Sequence, residues 1–541
     1  LGFRVPNAGW ADFDSHAGQP GMHHARMVEL NEAIARFYAE LHPGWASRVT
    51  VMTFSEFGRT SHANAGKGTD HGSAAPQFVF GANVKGGIYG ERPALPPGEW
   101  DRMEPTLDVR DYYASLIDGW LGGGSSDVLG GTFENLGLFA RPPGVLADGS
   151  TAPLPTVVGG LSTFVPVVPR RLVDTRIGLG APAAPIGPKA SLRVQIAGTD
   201  PVPADGVTAV VANVTAVDAT ELHYFTVYPS GRERPATSNV NGGPGRAVPN
   251  LVTVGVGSDG AIEVFNSHGT THCLVDVFGY FTSAPRPGVV ADRFVPLGNP
   301  VRLFDTRTGH GGVPAAKLDH LVPIEVQVAG QAGVPADATA VALNLTATEP
   351  DAAGYLRLTP SGEPIVATSN VNFLTDDTVP NLAIVRLGAG GRIQVDGAGP
   401  GKHAVGDVFG YFGGAASAAG SRLRAVAPRR LLDTREGLGA ARQPIGPGRA
   451  IDVTVARRAG VPETATAVVL NVTATNVAGA SYVTVWPAGE PMPGTSNLNM
   501  MPGDTRANLV ICRLGAGGAV TFANKLADCD VIADVMAYFT P

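Results

Sequence analysis

Three cysteines in 541 residues are few, as in an exported protein that uses thiols sparingly. Cys512 and Cys529 fall on successive expected strands and can be read as a pair; Cys273 has no evident partner, and three buried small apolar residues is the alternative reading. No apolar run approaches the roughly 18–20 residues of a membrane-spanning helix. Basic charge is also scarce. The net charge is −7, residues 1–140 carry 10 Lys and Arg against 16 Asp and Glu, and the rest is nearly neutral, which excludes a basic footprint for nucleic acid. Neither an initiator methionine nor a signal peptide precedes Leu1, so the sequence reads as a fragment or a processed form. Nothing in it sets an oligomeric state.

What the chain has in quantity is glycine (71) and proline (44) beside 44% hydrophobic residues, the composition of short strands joined by many turns. Its dominant feature is a triplication. Asp-Thr-Arg recurs at 174, 305 and 433, and an Asn-x-Thr strand follows at Asn213, Asn344 and Asn471. Ser-Asn comes next at Asn239, Asn370 and Asn497, then Asn-Leu at Asn250, Asn381 and Asn508, and Asp-Val-x-x-Tyr-Phe closes each copy from Asp276, Asp407 and Asp534. The landmarks are offset by 131 and then about 127 residues, so the copies arose by duplication.

Within a copy, apolar and β-branched runs alternate with turn signals, giving seven or eight strands in about 115 residues and a β-sandwich or jelly roll. Val210, Ala212, Val214 and Ala216 share one strand face, which puts Asn213 and Thr215 on the other. Polar residues so placed in strands apolar on both sides point to a hydrogen-bonded network, with a calcium or sugar site as the alternative. The Asn-x-Thr triplets match a glycosylation sequon, but packing explains them better inside strands. Proline-rich joints near 284–297 and 414–427 suggest three beads on semi-flexible strings, and the third copy ends at Pro541 as a true C-terminus would.

Residues 1–140 differ. They hold half of the twelve histidines, and their periodicity predicts an amphipathic helix over 22–42, stopped by Pro43 and Gly44, and a second over 109–121. Val49 to Phe54 reads as a strand covered on both faces in a parallel sheet, with a weaker strand at 77–80. Polar residues gather at the ends of these elements: Asp12, Asp14 and His16, then Glu56 and Arg59, then Asp70 and His71. In an open parallel sheet such loops converge on one site. An Asp-His turn and an ordinary Glu56–Arg59 ion pair are the bland alternatives.

Phe-Asp-Ser-His, Ser-Glu-Phe-Gly-Arg, Gly-Thr-Asp-His-Gly and Asn-Val-Lys-Gly-Gly-Ile-Tyr-Gly resemble the C-terminal half of the DUF1501 family over about residues 7–140. Those are exported bacterial proteins related to the alkaline phosphatase and sulfatase superfamily. The resemblance implies that Asp14 and His16 match a first metal-binding pair and Asp70 and His71 a second, with Asp12 an alternative ligand. It places Arg59 near a substrate anion, with Glu56 beside it in the same motif. The half that carries the superfamily's nucleophile does not precede Leu1, so four ligands are left to hold one zinc or manganese ion, calcium fitting less well. The triplicated segments resemble the Asp-Thr-Arg repeat domains of secreted and surface proteins of actinobacteria, which implies an extracellular or cell-surface location.

The expected architecture is multidomain: a partial alkaline-phosphatase-like α/β segment (1–140), a linker (141–166) and three all-β sandwich or jelly-roll repeats (167–283, 298–413 and 428–541). The expected function is a phosphatase- or sulfatase-like metal-binding segment displayed on adhesion or spacer modules, a metal-dependent ester hydrolase if the domain is complete upstream. The alternative is a non-catalytic envelope protein that binds cell-wall or surface polysaccharide.

Overall fold

Helix α1 (Gln19–Glu40) occupies the stretch where the apolar periodicity predicts a helix. Leu30, Ile34 and Tyr38 are half-buried on one side, and the Tyr38 hydroxyl donates to Phe80 O at 2.8 Å. Met27 and Phe37 of the same stripe stay exposed. The computed structural model describes residues 13–40, 49–96, 98, 102–141, 160–286 and 288–541, in two compact units that divide between Thr156 and Val157. Pro43, Gly44 and Asp12 lie outside the described residues, as does most of the expected linker.

In the first unit, β1 (Val51–Met52) pairs with β4 (Val79–Phe80), and β2 (Gly58–Arg59) with β3 (His71–Gly72). Both pairs are antiparallel, which corrects the expected parallel sheet. Parallel pairing needs a crossover of a dozen or more residues, usually a helix; the segment between β1 and β4 is taken up instead by the β2–β3 hairpin. Helix α2 (Val109–Gly119) starts where the Asp108 side chain accepts Arg110 N, and a short α3 (Ser125–Leu129) follows. Tyr112 and Leu116 of α2 pack with Leu138 against Met52 and Val79, while Tyr38 of α1 reaches Phe80, so both helices meet the β1–β4 pair.

The second unit is built from three copies of one jelly roll. In the first copy β5 (Thr163–Asp174), β12 (His272–Thr282), β7 (Val207–Val217) and β10 (Val248–Gly255) form one sheet in that order. A second sheet is ordered β6 (Ala190–Gln195), β11 (Ala261–Asn266), β8 (His223–Pro229) and β9 (Val240–Gly242). Counted along the copy, the orders are 1-8-3-6 and 2-7-4-5, the two interleaved Greek keys of a jelly roll. The other copies, from Phe294–Asp305 to His403–Gly413 and from Arg422–Asp433 to Asp530–Thr540, repeat both orders. The first strands begin ahead of the starts at 167, 298 and 428 read from the sequence. Pro166 sits in β5, an edge strand, where the missing N–H is tolerated.

Each sandwich has its own core, in the first copy Val210, Ala212, Val214 and Ala216 against Val194, Phe225 and Val264. The other face of the β5-β12-β7-β10 sheet is buried too, because the corresponding sheets of all three copies pack on one further core. Phe164, Phe281, Phe294, Phe412 and Phe539 meet there with Ala209, Val211 and Leu423. Main-chain pairs close the ring: Phe164 with Asp292 (both bonds 2.8 Å), Phe294 with Ser421 (2.9 and 2.8 Å) and Leu423 with Ser162 (both 2.9 Å). The copies are therefore not beads on strings.

The recurring asparagines interlock them. Asn213 Nδ2 donates to Ser369 O (2.6 Å), Asn344 Nδ2 to Ser496 O (2.8 Å) and Asn471 Nδ2 to Ser238 O (2.6 Å), each copy to the next around the ring. Asn250, Asn381 and Asn508 donate to Asn471, Asn213 and Asn344 Oδ1, each at 2.9 Å. The Asp-Thr-Arg residues stay within their own copies: Arg176 holds Asp174, and Arg171 bridges Asp276 and Asp174. All three cysteines are free and buried. Among the described residues no helix is long and apolar enough to cross a membrane.

Candidate metal centre

The site residues come together because two loops run side by side. Gly18 N donates to Gly66 O (2.9 Å) and Gln19 N to Lys67 O (3.0 Å), zipping residues 64–70 onto the segment that leads into α1. Gly68 permits the approach: a β carbon there would lie 2.2 Å from His16 C. The loop then enters β3, which sets His71 opposite Arg59 in the hairpin.

Asp14 Oδ1 lies 3.0 Å from His71 Nε2 and 3.1 Å from His16 Nε2, and the two Nε2 atoms are 3.2 Å apart. Three ligand atoms around a tetrahedral zinc, about 2.0–2.1 Å from each, would be separated by about 3.3 Å, so this donor set and spacing suit such an ion. On the far side of its ring, His16 Nδ1 meets Asp70 Oδ1 at 3.0 Å. That is the usual carboxylate–histidine support, which fixes the tautomer and presents Nε2.

Arg59 Nη1 donates to Asp14 Oδ1, its Nη2 to Ser15 O (3.0 Å) and to Thr69 O, and its Nε to Thr69 Oγ1 (3.0 Å). Arg59 therefore ties Asp14 to the two loops and does not pair with Glu56. Burial works to raise the Asp14 carboxyl, but the hydrogen bonds from Arg59 and His71 and the nearby imidazoles outweigh it and hold it below the usual carboxylate range. Hydrogen bonds from Asn64 and His16 likewise lower Asp70.

Glu56 is exposed and lines a neighbouring cleft of about 1100 Å³ together with Lys85, Arg92, Phe78 and Tyr89. Phe57 joins cleft and cluster: it lines the one and stacks on the His71 ring, with centroids 3.7 Å apart and planes 13° from parallel. Sequence reading missed Phe57 and Asn64, which donates to Asp70 Oδ1 at 2.9 Å. Phe57 lies inside the Ser-Glu-Phe-Gly-Arg motif and was within reach; Asn64 gave no signal of its own.

The paired loops carry the motifs on which a family assignment turns. Residues 2–115 match the family model described as "Protein of unknown function (DUF1501)". No curated protein matches the chain. Among solved structures it is similar to "Life in the extremes: atomic structure of Sulfolobus Turreted Icosahedral Virus" at 8% identity and TM-score 0.15, covering 70% of this chain and 91% of that one. A second is "The Triple Jelly Roll Fold and Turret Assembly in an Archaeal Virus", at 10% identity, 70% and 91% coverage and TM-score 0.14. The tandem CBM22 domains of Paenibacillus barcinonensis Xyn10C match at 11% identity and TM-score 0.13, covering 46% of this chain and 97% of that one. At these scores none of the three bears on fold or function.

Proposed function

We propose that the first unit is a divalent-metal-binding segment of the phosphatase or sulfatase kind, displayed outside the cell on the three jelly-roll repeats. One observation carries the reading: Asp14, His16 and His71, from loops more than fifty residues apart, place three ligand atoms within 4.8 Å of one another. Zinc or manganese suits two imidazoles and a carboxylate, and three protein ligands leave the open position of a reactive site. When bound, the ion would act as a Lewis acid on a phosphoryl or sulfuryl oxygen. Asp14, His16 and His71 would hold it, with Asp70 and Phe57 orienting the two imidazoles and Arg59 fixing Asp14. Lys85 and Arg92 line the adjoining cleft beside Glu56, Glu91 and Asp108, so the charge that would meet an anionic ester is that of the ion and not of the cleft.

The test is metal content after purification without chelators, with equilibrium dialysis against zinc and manganese. Near-stoichiometric metal that His71→Ala removes is expected, with hydrolysis of p-nitrophenyl phosphate or sulfate as the second readout. Substoichiometric metal that His71→Ala leaves unchanged would overturn the reading.

A further inference from the structure

The threonine of each Asp-Thr-Arg turn is buried and tied to the last strand of its own copy. Thr306 N donates to Ala404 O at 3.1 Å, and Ala404 N donates back to Thr306 Oγ1 at 3.0 Å. Thr175 with Cys273 (3.1 and 3.0 Å) and Thr434 with Val531 (both 3.1 Å) repeat the exchange. Each hydroxyl thereby accepts a main-chain N–H and has its own proton left to place. At most 1% of each threonine is exposed, so solvent does not take that proton.

The group that receives it differs among the copies. In the third copy it is Asp530, whose Oδ1 lies 2.7 Å from Thr434 Oγ1. An ionised carboxylate only accepts, which fixes the direction of the bond: the threonine donates. In the first two copies the same position holds His272 and His403, with Nδ1 2.9 and 3.0 Å from the threonine oxygen. The threonine donates there too only while Nδ1 carries no proton, which for His403 leaves the proton of the neutral ring on Nε2. A second position changes in step. Asp218, Glu349 and Asn476 directly follow the strands that end at Val217, Thr348 and Thr475, all three in the same left-handed backbone (φ 54°, 51° and 51°). A carboxylate thus accompanies each histidine, and an amide, which donates to Asp530 Oδ2 at 2.9 Å, accompanies the aspartate.

His403 is half-buried, so protons reach it. The charged groups around it come from each neighbouring element: Asp305 and Arg307 of the turn, Glu349 after the strand Ala338–Thr348, and Lys317 of the loop leading to Leu318. The adjacent Lys402 is turned inward, its ammonium donating to Asp319, Gly397 and Gly399 O at 2.8, 2.8 and 2.7 Å. Burial pushes the His403 imidazole down, Lys317 and Arg307 act with it, and Glu349 and Asp305 oppose without cancelling it. A ring that protonates less readily folded than unfolded stabilises the turn above the ordinary value of 6.5, and that contribution is lost as pH falls below it. Once protonated, Nδ1 faces Thr306 as a second donor, and the hydroxyl proton has no other acceptor among the described residues.

We infer that the Thr306–His403 bond is a proton-operated latch on the Asp-Thr-Arg turn of the second copy, closed at neutral pH and released in mild acid, while the Thr434–Asp530 bond keeps the third copy's turn closed. Carboxylates ordinarily titrate near pH 4 and imidazoles near 6.5, so the two turns part company between those values. The latch is separate from the metal centre, and the failure of either reading leaves the other standing. The test is hydrogen exchange of the full chain, read by mass spectrometry from pH 8 to pH 5 with each rate divided by its intrinsic value. Peptides over 303–308 and 402–406 are compared with 431–436 and 529–533 in the same sample. A severalfold loss of protection in the second copy relative to the third is expected, with about thirtyfold as the ceiling at pH 5 set by the ordinary imidazole value. The double variant His403→Asp/Glu349→Asn gives the second copy the third copy's pair and should abolish the difference; melting temperature checks that it is folded. The nitrogen chemical shift of His403 Nδ1 at pH 8, assigned by its loss in His403→Gln, should be that of an unprotonated ring nitrogen. Equal loss of protection in the two copies, a protonated Nδ1 at pH 8, or a folded double variant that keeps the pH dependence would each overturn the latch.

Discussion

The ring of Phe164 stands where a side chain on Gly279 would have to go: a β carbon built on Gly279 lies 2.3 Å from the ring tip. The second copy repeats the pair, with Gly410 2.4 Å from the ring of Phe294. In the third copy both residues change together, to Ala537 and Leu423, and both sit in the core shared by the copies. Ring and glycine are thus one packing unit. Gly279→Ala should cost about 1–3 kcal/mol by overpacking, and Phe164→Leu on that background should restore part of it. Urea midpoints of the two single variants and the double variant measure the coupling; additive losses would dissociate the pair.

The asparagine ring predicts how the repeats unfold. Asn250 Nδ2 donates to Asn239 O and Asn471 Oδ1, and its Oδ1 accepts Leu509 N at 3.0 Å, so one side chain ties the first copy to the third. The three copies should therefore melt in a single calorimetric transition. Asn250→Leu strands several buried partners at about 1–3 kcal/mol each, and should lower that transition as a whole. Separate transitions for the copies would refute the interlock.

Much of this was legible in the sequence, and what was not has physical causes. Strands 209–217 and 261–266 stood out as apolar and β-branched runs bounded by turn signals, whereas β9, three residues ending in glycine, has too little pattern to show. Pro166 made the start of β5 look like linker, because a proline is tolerated on an edge strand but gives no strand signal. The shared core was visible in principle: a strand apolar on both faces in an antiparallel sandwich needs a second covering layer, and Val211 and Ala209 point at it. In the first unit, Asp14, His16, Asp70 and His71 were named from motifs, but the roles of Arg59 as a clamp and of Asp70 behind His16 depend on a loop pairing that no periodicity announces.

The Asp-Thr-Arg carboxylates set a pH dependence with a definite sign. Hydrogen bonding from Arg435, against some burial, holds Asp433 below the usual carboxylate value. A depressed folded pKa contributes stability above the unfolded value, about 3.9, and that contribution is lost as pH falls through the folded value. Asp433→Asn should therefore be less stable than the parent at pH 7, and the gap should close as pH falls below the ordinary carboxylate value of about 3.9. Urea midpoints across that range decide it; a constant difference down to pH 2 would deny the linkage.

At the metal centre, position and support are separable. Asp14, His16 and His71 present the three close ligand atoms, while Asp70 reaches the cluster through His16 Nδ1. Removing a ligand and removing its support should therefore differ in kind. His71→Ala should abolish zinc retention, whereas Asp70→Asn, which keeps the shape and an oxygen for the His16 N–H, should weaken it about 10–100-fold. Asn64→Ala should follow Asp70→Asn with a smaller loss, since its amide only anchors that carboxylate. Competition with a chromogenic chelator ranks the three. If Asp70→Asn abolishes retention as fully as His71→Ala does, Asp70 is itself a ligand, and the loaded site draws on both of its loops for two donors each.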